Sequence, residues 1–236
     1  MSKNDFTKYE EIILPNFEGR KAFVVNGAAF QSNIIHLLAS CDFKKAESID
    51  EADVVVFGGG SDIDPSLYGE EKHSSTFFIK EKDEAWVKDY EEAVSKNKVM
   101  FGICRGAQFL HALNGGKLYQ DVNNHNGRHV IVDLDDDVIL ECNSMHHQML
   151  IPNEEIDIVA VTNNQVATKF ATATETFEAE EGSDPIVEIE AGYYHKTRCF
   201  FVQGHPEVGS DEYRSWTMGK LFDFVIGFEE ADEGRL

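Results

Sequence analysis

Short apolar runs alternate with amphipathic stretches through the first half of the chain. Three continuous apolar runs predict buried strands, and three stretches with apolar residues at helical spacing predict helices. The strands are Lys21–Asn26, Asp53–Phe57 and Lys98–Ile103, and the helices are Gln31–Ser40, Glu81–Lys96 and Arg105–Asn114. Strands that are apolar throughout are typical of a parallel sheet covered on both faces, so the pattern predicts an α/β fold.

The second half has more strand-like segments and fewer helical ones. The predicted strands are Val130–Leu134, Ile156–Thr162, Pro185–Glu190 and Cys199–Gln203. We expect them to add antiparallel strands to one side of a mainly parallel central sheet. Residues 165–184, rich in Thr, Ala, Glu and Gly, are predicted to be an exposed insertion or a mobile loop. No repeat or low-complexity linker divides the chain, so a single domain is predicted over 1–236, with a polar lead-in at 1–19.

The charge balance argues against two classes of partner. The 236 residues include 21 Lys plus Arg against 43 Asp plus Glu, a formal charge of −22. Phosphate backbones and anionic lipids repel such a chain, so nucleic-acid binding and membrane-surface binding are set aside as main functions. Hydrophobic residues make up 42% of the chain, enough to bury a core.

The four cysteines, at positions 41, 104, 142 and 199, lack the spacing of a disulfide framework or a zinc knuckle. The polar N-terminus shows no signal-peptide pattern, and no stretch approaches ~18 consecutive apolar residues. We therefore expect a reduced, soluble, cytoplasmic protein.

A G-x-C-x-G stretch, Gly102–Gly106, lies where a predicted strand gives way to a predicted helix. A nucleophile elbow has this placement, and its flanking glycines allow neighbouring backbone to approach a strained turn. The positive end of the helix favours a thiolate at Cys104, and the backbone N–H of Arg105 would face a developing oxyanion. Cys104 is therefore the candidate nucleophile, and the other cysteines are interpreted as small buried apolar residues.

His205-Pro206-Glu207 follows the last predicted strand. Proline favours an extended conformation in its predecessor, so the side chains of His205 and Glu207 can lie on one side. A nucleophilic cysteine needs a base, and the base needs an orienting group. This segment is predicted to supply both.

Two further segments could complete a site. The turn at Gly58–Gly60 ends another predicted parallel strand, where ligands gather, and is a second candidate source of oxyanion donors. It lacks a dinucleotide-binding pattern and a phosphate-binding lysine, so a nucleotide site is rejected. Gln108 follows Cys104 by about one helical turn and is expected to face the same cleft.

Polar residues are concentrated at Ser144–Gln148, which contains His146 and His147. With His125 and His129 they could be considered a metal site, but adjacent histidines point different ways in regular structure and no ligand pattern fits. The sequence therefore predicts no metal and no cofactor, and favours a pocket-lining role for this segment.

Five motifs follow one another along most of the chain. They are GGGSDIDPSLYGE at 58–70, GICRGAQ at 102–108, GGKLYQD at 115–121, NSMHHQ at 143–148 and VQGHPE at 202–207. Together they resemble the class I glutamine amidotransferase superfamily, and within it the γ-glutamyl-γ-aminobutyrate hydrolase-like (peptidase C26-type) branch. The resemblance implies a flavodoxin-like sandwich and a Cys-His-Glu triad. It also implies hydrolysis of the γ-amide of glutamine, or of a γ-glutamyl conjugate, through a γ-glutamyl thioester.

The resemblance also implies a role for each matching residue. The triad would be Cys104 as nucleophile, His205 as base and acid, and Glu207 as its orienting group. Backbone N–H groups of Arg105, Gly59 and Gly60 would hold the oxyanion. The α-amino and carboxylate end of the substrate would be held by Gln108, Met145, His146 and His147.

Three positions depart from the family pattern. Gly204 stands where an aromatic residue often precedes the histidine, and Lys82-Asp83 stands where an Arg-Asp pair is common. The connection at 165–184 is longer than usual. These departures concern the acceptor side of the pocket and leave the triad intact.

Three functional interpretations remain open from the sequence. The chain could be an amidotransferase subunit whose ammonia is used by a separate synthase, because no synthase or ATP-binding motif occurs within it. It could instead act alone on γ-glutamyl amides of small amines. A third interpretation is a catalytically inactive binding or regulatory module, which the intact Cys, His and Glu argue against.

Overall fold

A computed structural model of the protein describes residues 14–179 and 185–234. The helices are α1 (Gln31–Ser40), α2 (Lys80–Ser95), α3 (Arg105–Leu113) and α4 (Asp211–Asp232). The strands are β1 (Lys21–Val24), β2 (Lys44–Lys45), β3 (Val54–Phe57), β4 (Val99–Ile103), β5 (Lys117–Tyr119), β6 (Asp121–Val122), β7 (Asn126–Asp133), β8 (Ile139–Met145), β9 (Met149–Ile151), β10 (Asp157–Thr162), β11 (Lys169–Ala171), β12 (Thr176–Glu178), β13 (Ile189–Tyr194) and β14 (Cys199–Val202).

The central sheet has nine strands in the order β2-β1-β3-β4-β14-β13-β10-β7-β8. The first five strands are parallel to one another, and the last four extend the sheet by antiparallel pairing. The parallel part has the strand order 2-1-3-4-5 of flavodoxin-like folds. The predicted α/β sandwich with added antiparallel strands is therefore confirmed.

Helices cover both faces of the parallel strands. Val54 and Val56 of β3 belong to the apolar cluster under α1 and α4, whereas Val55 and Phe57 belong to the cluster under α2 and α3. Alternate side chains of one strand thus enter opposite cores. This double burial explains why the predicted strands are apolar at every position.

The antiparallel half differs from prediction at its strand boundaries. The strand predicted at 130–134 is part of the longer β7, which pairs with the unpredicted β8. The strand predicted at 185–190 instead begins at Ile189. Glu188 still accepts a backbone hydrogen bond from Thr162 N of β10 at 3.1 Å, and its carboxylate accepts hydrogen bonds from Val166 N and Ala167 N of a neighbouring loop.

Residues 165–184 were expected to be an exposed insertion or a mobile loop, and their described part, 165–179, combines exposed positions with regular structure. It contributes β11 and β12 to a three-stranded sheet with β6. Ala167 and Phe170 are fully buried there, because an apolar cluster with Val122 and Met149 covers them. Residues 180–184 lie outside the described residues.

The described part of the predicted lead-in, residues 14–19, packs onto the core. Phe17 is fully buried, and its ring stacks on that of Phe43 with a centroid separation of 4.1 Å. The single-domain assignment stays a prediction. Among the residues described, no helix combines the length and apolar character that a membrane span needs.

Candidate active site

Cys104 occupies a strained turn between β4 and α3. Its φ of 52° and ψ of −106° are unusual for a residue with a side chain, a conformation that costs about 1–3 kcal/mol. Its backbone N–H donates to Val202 O at 2.9 Å and thereby continues the pairing of β4 with β14. The sheet therefore holds the elbow in place.

The two glycines of the elbow are required by close backbone contacts. A Cβ on Gly102 would lie 2.8 Å from the backbone of Gly106 and Ala107. A Cβ on Gly106 would lie 1.9 Å from the carbonyl oxygen of Phe57, at the end of β3. The G-x-C-x-G spacing thus lets α3 start directly against the sheet.

His205 follows β14, the parallel neighbour of β4, so both strands deliver their next residues to the same edge of the sheet. His205 Nδ1 lies 2.8 Å from Glu207 Oε1, and both side chains are buried. Burial lowers the pKa of His205, but hydrogen bonds to Cys104 and Glu207 outweigh it and raise that pKa to about 10. His205 and Glu207 therefore form a hydrogen-bonded pair at the edge of the sheet where Cys104 also lies.

The position of His205 depends on residues to which the sequence assigned no role. Its backbone N–H donates to Asn143 Oδ1 at 3.2 Å, and the half-exposed ring of Phe30 packs edge-on against the imidazole with a centroid separation of 5.6 Å. Asn143 lies within the NSMHHQ motif, which was a usable signal. No sequence signal singles out Phe30, because it makes this contact only in the folded chain.

The glycine at position 204 has a steric cause. A Cβ on Gly204 would lie 2.5 Å from the hydroxyl of Tyr213 and 2.8 Å from the carbonyl oxygen of Asn143. Tyr213 is fully buried on α4. An aromatic side chain therefore cannot occupy position 204 in this chain.

The glycine turn after β3 reaches the same site. A Cβ on Gly59 would lie 3.0 Å from His205 Cε1, and one on Gly60 would lie 2.8 Å from Arg105 Cδ. Arg105 is the first residue of α3, where backbone N–H groups have no acceptor within the helix. The predicted oxyanion residues are thus next to the elbow and the imidazole.

The side chain of Arg105 points into the protein. It forms a buried ion pair with Asp83, and its guanidinium carbon lies 3.9 Å from the ring centroid of Trp86. Burial lowers the pKa of Arg105 to about 10 despite the opposing charge of Asp83. Burial next to Arg105 also lowers the pKa of Lys82 to about 8. The Lys82-Asp83 pair therefore flanks the elbow, with Asp83 as counter-ion.

The four residues predicted to hold the substrate do not form one group. Gln108 Nε2 and His146 Nδ1 converge on the carbonyl oxygen of Gln148, at 3.3 and 2.9 Å. Met145 is 44% exposed at the end of β8. His147 contacts other residues, Asp62 and Asp121.

His147 lies between two carboxylates. Its Nε2 is 3.1 Å from Asp62 and its Nδ1 is 3.1 Å from Asp121. The bond to Asp62, and then that to Asp121, raise the pKa of His147 to about 9 against the effect of burial. His147 is thus engaged by neighbouring carboxylates, whereas His146 contacts the carbonyl oxygen of Gln148.

One group of metal-ligating type occurs among the described residues. Side-chain ligand atoms of His125, His129 and Glu190 lie within 4.8 Å of one another. All three side chains are at least nine-tenths buried.

Comparisons with known proteins agree with this architecture. The model of the Peptidase C26 family matches residues 21–207. Protein NtpR of Enterococcus hirae is 28% identical over 201 residues, which is 75% of this chain and 75% of NtpR. The glutamine amidotransferase-like protein YvdE of Lactococcus lactis is 40% identical over 74 residues, and the match spans 30% of each protein.

Among solved structures, one described as part of a GMP synthase from Thermoplasma acidophilum has a TM-score of 0.60 at 16% identity. The match covers 91% of this chain and 98% of that one. At this level of identity the likeness shows the fold alone.

Proposed function

The chain belongs to the peptidase C26 family, within the class I glutamine amidotransferase superfamily of hydrolases, and from that premise we propose its reaction. It cleaves the γ-amide of glutamine, or of a γ-glutamyl amide, through a γ-glutamyl thioester on Cys104. The observation that carries this proposal is the position of His205, which follows the strand next to that of Cys104 and is oriented by Glu207 through a 2.8 Å hydrogen bond.

In the first half-reaction the Cys104 sulfur attacks the γ-carbonyl carbon. With a pKa of about 10, His205 is an imidazolium at neutral pH, which stabilises a thiolate and is ready to protonate the departing amine. Backbone N–H groups of Arg105 and of the Gly59–Gly60 turn would hold the oxyanion. Loss of ammonia or amine leaves the thioester.

In the second half-reaction water takes the place of the departed amine. His205, now neutral, removes a proton from the water molecule as the water oxygen attacks the thioester carbonyl. The bond between the carbonyl carbon and the Cys104 sulfur then breaks, which restores the thiolate and releases free glutamate. Glu207 fixes the imidazole orientation in both directions of proton transfer. Gln108 and the Met145–His147 segment are proposed to hold the α-amino and carboxylate end.

Active-site labelling tests the nucleophile. A chloromethyl ketone analogue of glutamine should add once, to Cys104, and excess glutamine should protect against it. The matched control is Cys41→Ser, which removes another buried thiol and should leave labelling unchanged. An adduct on Cys41, Cys142 or Cys199 with Cys104 unmodified would show that the wrong sulfur has been assigned.

Substitutions test the roles of the other two side chains. Cys104→Ala should abolish turnover while the protein stays folded. Glu207→Gln should retain more activity than His205→Ala, because it disturbs the orientation of the base without removing it. Equal residual activities in these two variants would contradict the roles.

A separate synthase is the proposed destination of the ammonia. The support is the fold shared with a protein described as part of a GMP synthase. Glutamine and a panel of γ-glutamyl amines are assayed with the chain alone, with released ammonia or amine measured. Slow glutaminase turnover that rises when a synthase is added supports the role of an ammonia-supplying subunit. Fast turnover of γ-glutamyl amines by the chain alone identifies a stand-alone hydrolase instead.

A further inference from the structure

A second cluster of reactive side chains lies in the antiparallel half of the sheet. His129 lies in β7 and His125 immediately precedes that strand, and their ring centroids are 5.0 Å apart. In the pairing of β7 with β8, His129 is opposite Cys142. Glu190 of β13 reaches this face, since His129 Nε2 lies 2.8 Å from Glu190 Oε1.

Three buried polar atoms in this cluster make no hydrogen bond within the described part of the chain, and the two on His125 only approach carboxylate oxygens at 3.4 and 3.7 Å. They are both ring nitrogens of His125 and the Oε2 atom of Glu190. Both side chains are fully buried. Such orphaned groups cost about 1–3 kcal/mol each, so their persistence in a buried cluster points to a ligand that satisfies them.

The charges in the cluster lead to the same conclusion. Glu188 and Glu190 are both fully buried, and their ion-pair partners within the described part of the chain are His125 and His129 alone. No lysine or arginine pairs with either carboxylate there. Two buried carboxylates without a permanent counter-charge favour a bound cation.

We propose that His125, His129 and Glu190 bind a divalent transition-metal ion, and that zinc fits the donor set best. Tetrahedral zinc with nitrogen and oxygen ligands separates its donor atoms by about 3.3 Å. The Oε1 atom of Glu190 lies 2.8 Å from His129 Nε2 and 3.7 Å from His125 Nδ1. These two distances are within about half an ångström of that separation, and all three ligand atoms lie within 4.8 Å of one another.

A zinc-bound histidine commonly donates the N–H of its other ring nitrogen to a second carboxylate, and Glu188 is placed to accept it from His125. Its Oε1 lies 3.4 Å from His125 Nε2, the ring nitrogen opposite the one that faces Glu190. Glu188 is itself fixed by hydrogen bonds from Thr162, Val166 and Ala167. A carboxylate in this position fixes the tautomer and the orientation of a metal-binding imidazole.

The ion would tie β7 to β13 next to the candidate active site. Cys142 Sγ lies 3.2 Å from His129 Nε2, and the next residue, Asn143, accepts the backbone N–H of His205. The metal would therefore have a structural role, tying β13 to β7, and β7 pairs with β8, the strand that contains Asn143. It takes no part in the bond-making steps.

Metal binding is measured on the full chain after removal of bound metal by a chelator. Zinc affinity is determined by competition with a chromophoric chelator, and cobalt is used as a visible-absorption probe of coordination. We expect one ion per chain and a tetrahedral cobalt spectrum. Glu190→Gln and His129→Gln should each weaken zinc binding by more than about 100-fold, and Glu188→Gln by about 10-fold.

Two controls separate this site from other zinc-binding groups. His195→Gln breaks an exposed pair with Asp157 and should bind zinc like the wild type. Cys104→Ala should also retain the ion, which excludes zinc held by the proposed nucleophile. Zinc binding is measured without turnover, so its outcome is independent of whether the proposed reaction is correct.

The proposal is overturned if the wild type binds no stoichiometric zinc. It is equally overturned if Glu190→Gln binds normally, or if Cys104→Ala abolishes binding. Should the ligand variants fail to fold, zinc K-edge X-ray absorption of the wild type decides. Two imidazoles and an oxygen at about 2.0–2.1 Å support the site, and a sulfur-only or histidine-free shell refutes it.

Discussion

Gly106→Ala tests whether the elbow depends on direct contact between α3 and the sheet. The new methyl group would lie 1.9 Å from the carbonyl oxygen of Phe57 and 2.6 Å from its carbonyl carbon. Relief needs a displacement of about 1 Å, and Phe57 lies in β3 between two hydrogen-bonded neighbours. We expect the overpacking to cost about 3 kcal/mol, the upper end of the usual range, and the net destabilisation to be about 2 kcal/mol once the gain in helix propensity is subtracted.

Gly219→Ala is the matched control, because Gly219 is also helical and has open space where its Cβ would be. Both substitutions gain the same helix propensity, and in the control that gain should stabilise the protein by up to about 1 kcal/mol. Because the propensity gain is common to both, the two variants should differ by the overpacking cost alone, about 3 kcal/mol.

Urea unfolding of both variants, followed by circular dichroism, gives the two free energies directly. Turnover of Gly106→Ala should fall as well, because displacement of α3 moves Cys104 relative to His205. If the unfolding free energy of Gly106→Ala were within about 0.5 kcal/mol of the wild-type value, the steric argument would be refuted, because substitutions at unconstrained surface positions have effects of that size.

Three further outcomes follow from the ion pairs and hydrogen bonds around the site. The pKa of His147 is raised from 6.5 to about 9 in the folded protein. The charged imidazole therefore stabilises the fold fully below pH 6.5, and this stabilisation is lost as the pH rises through 9. In urea titrations, His147→Gln should therefore lower the free energy of unfolding by about 1 kcal/mol at pH 6, a value reduced because the side chain is partly exposed, and should not change it at pH 10. A loss of unfolding free energy that does not depend on pH would contradict this. Asp83→Asn leaves the buried Arg105 without its counter-ion and should lower the unfolding free energy by about 3–5 kcal/mol, while an unchanged value would show that the pair is dispensable. Asn143→Ala removes the acceptor for the His205 N–H and should reduce kcat by about tenfold with KM little changed; a rise in KM alone would place Asn143 at the substrate instead.

The parallel half of the fold was predictable because its signals are local. Each strand there is buried on both faces, and each helix carries an apolar stripe, so a short window of sequence contains the pattern. Helix α1 was predicted with its observed limits, Gln31–Ser40. The G-x-C-x-G elbow was local as well, since strand, turn and helix follow one another directly.

The antiparallel half was harder to predict because its inner face is partly polar. Strand β8 buries Cys142 and Ser144 at alternate positions, and small or polar residues hide the period of two. The same difficulty applied to residues 165–179, where Ala167 and Phe170 are the fully buried members of a mostly polar segment. Pairing with β6, more than forty residues earlier, determines the structure there.

The sequence by itself determined the elements of the parallel sheet and the identity of Cys104, His205 and Glu207 as candidates, because residue type and near neighbours are enough to indicate them. Tertiary structure alone decided which side chains meet. His129 and Glu190 are separated by 61 positions and still lie 2.8 Å apart. A spacing rule cannot anticipate a contact of that kind, because the sheet pairing that creates it depends on burial along the whole chain.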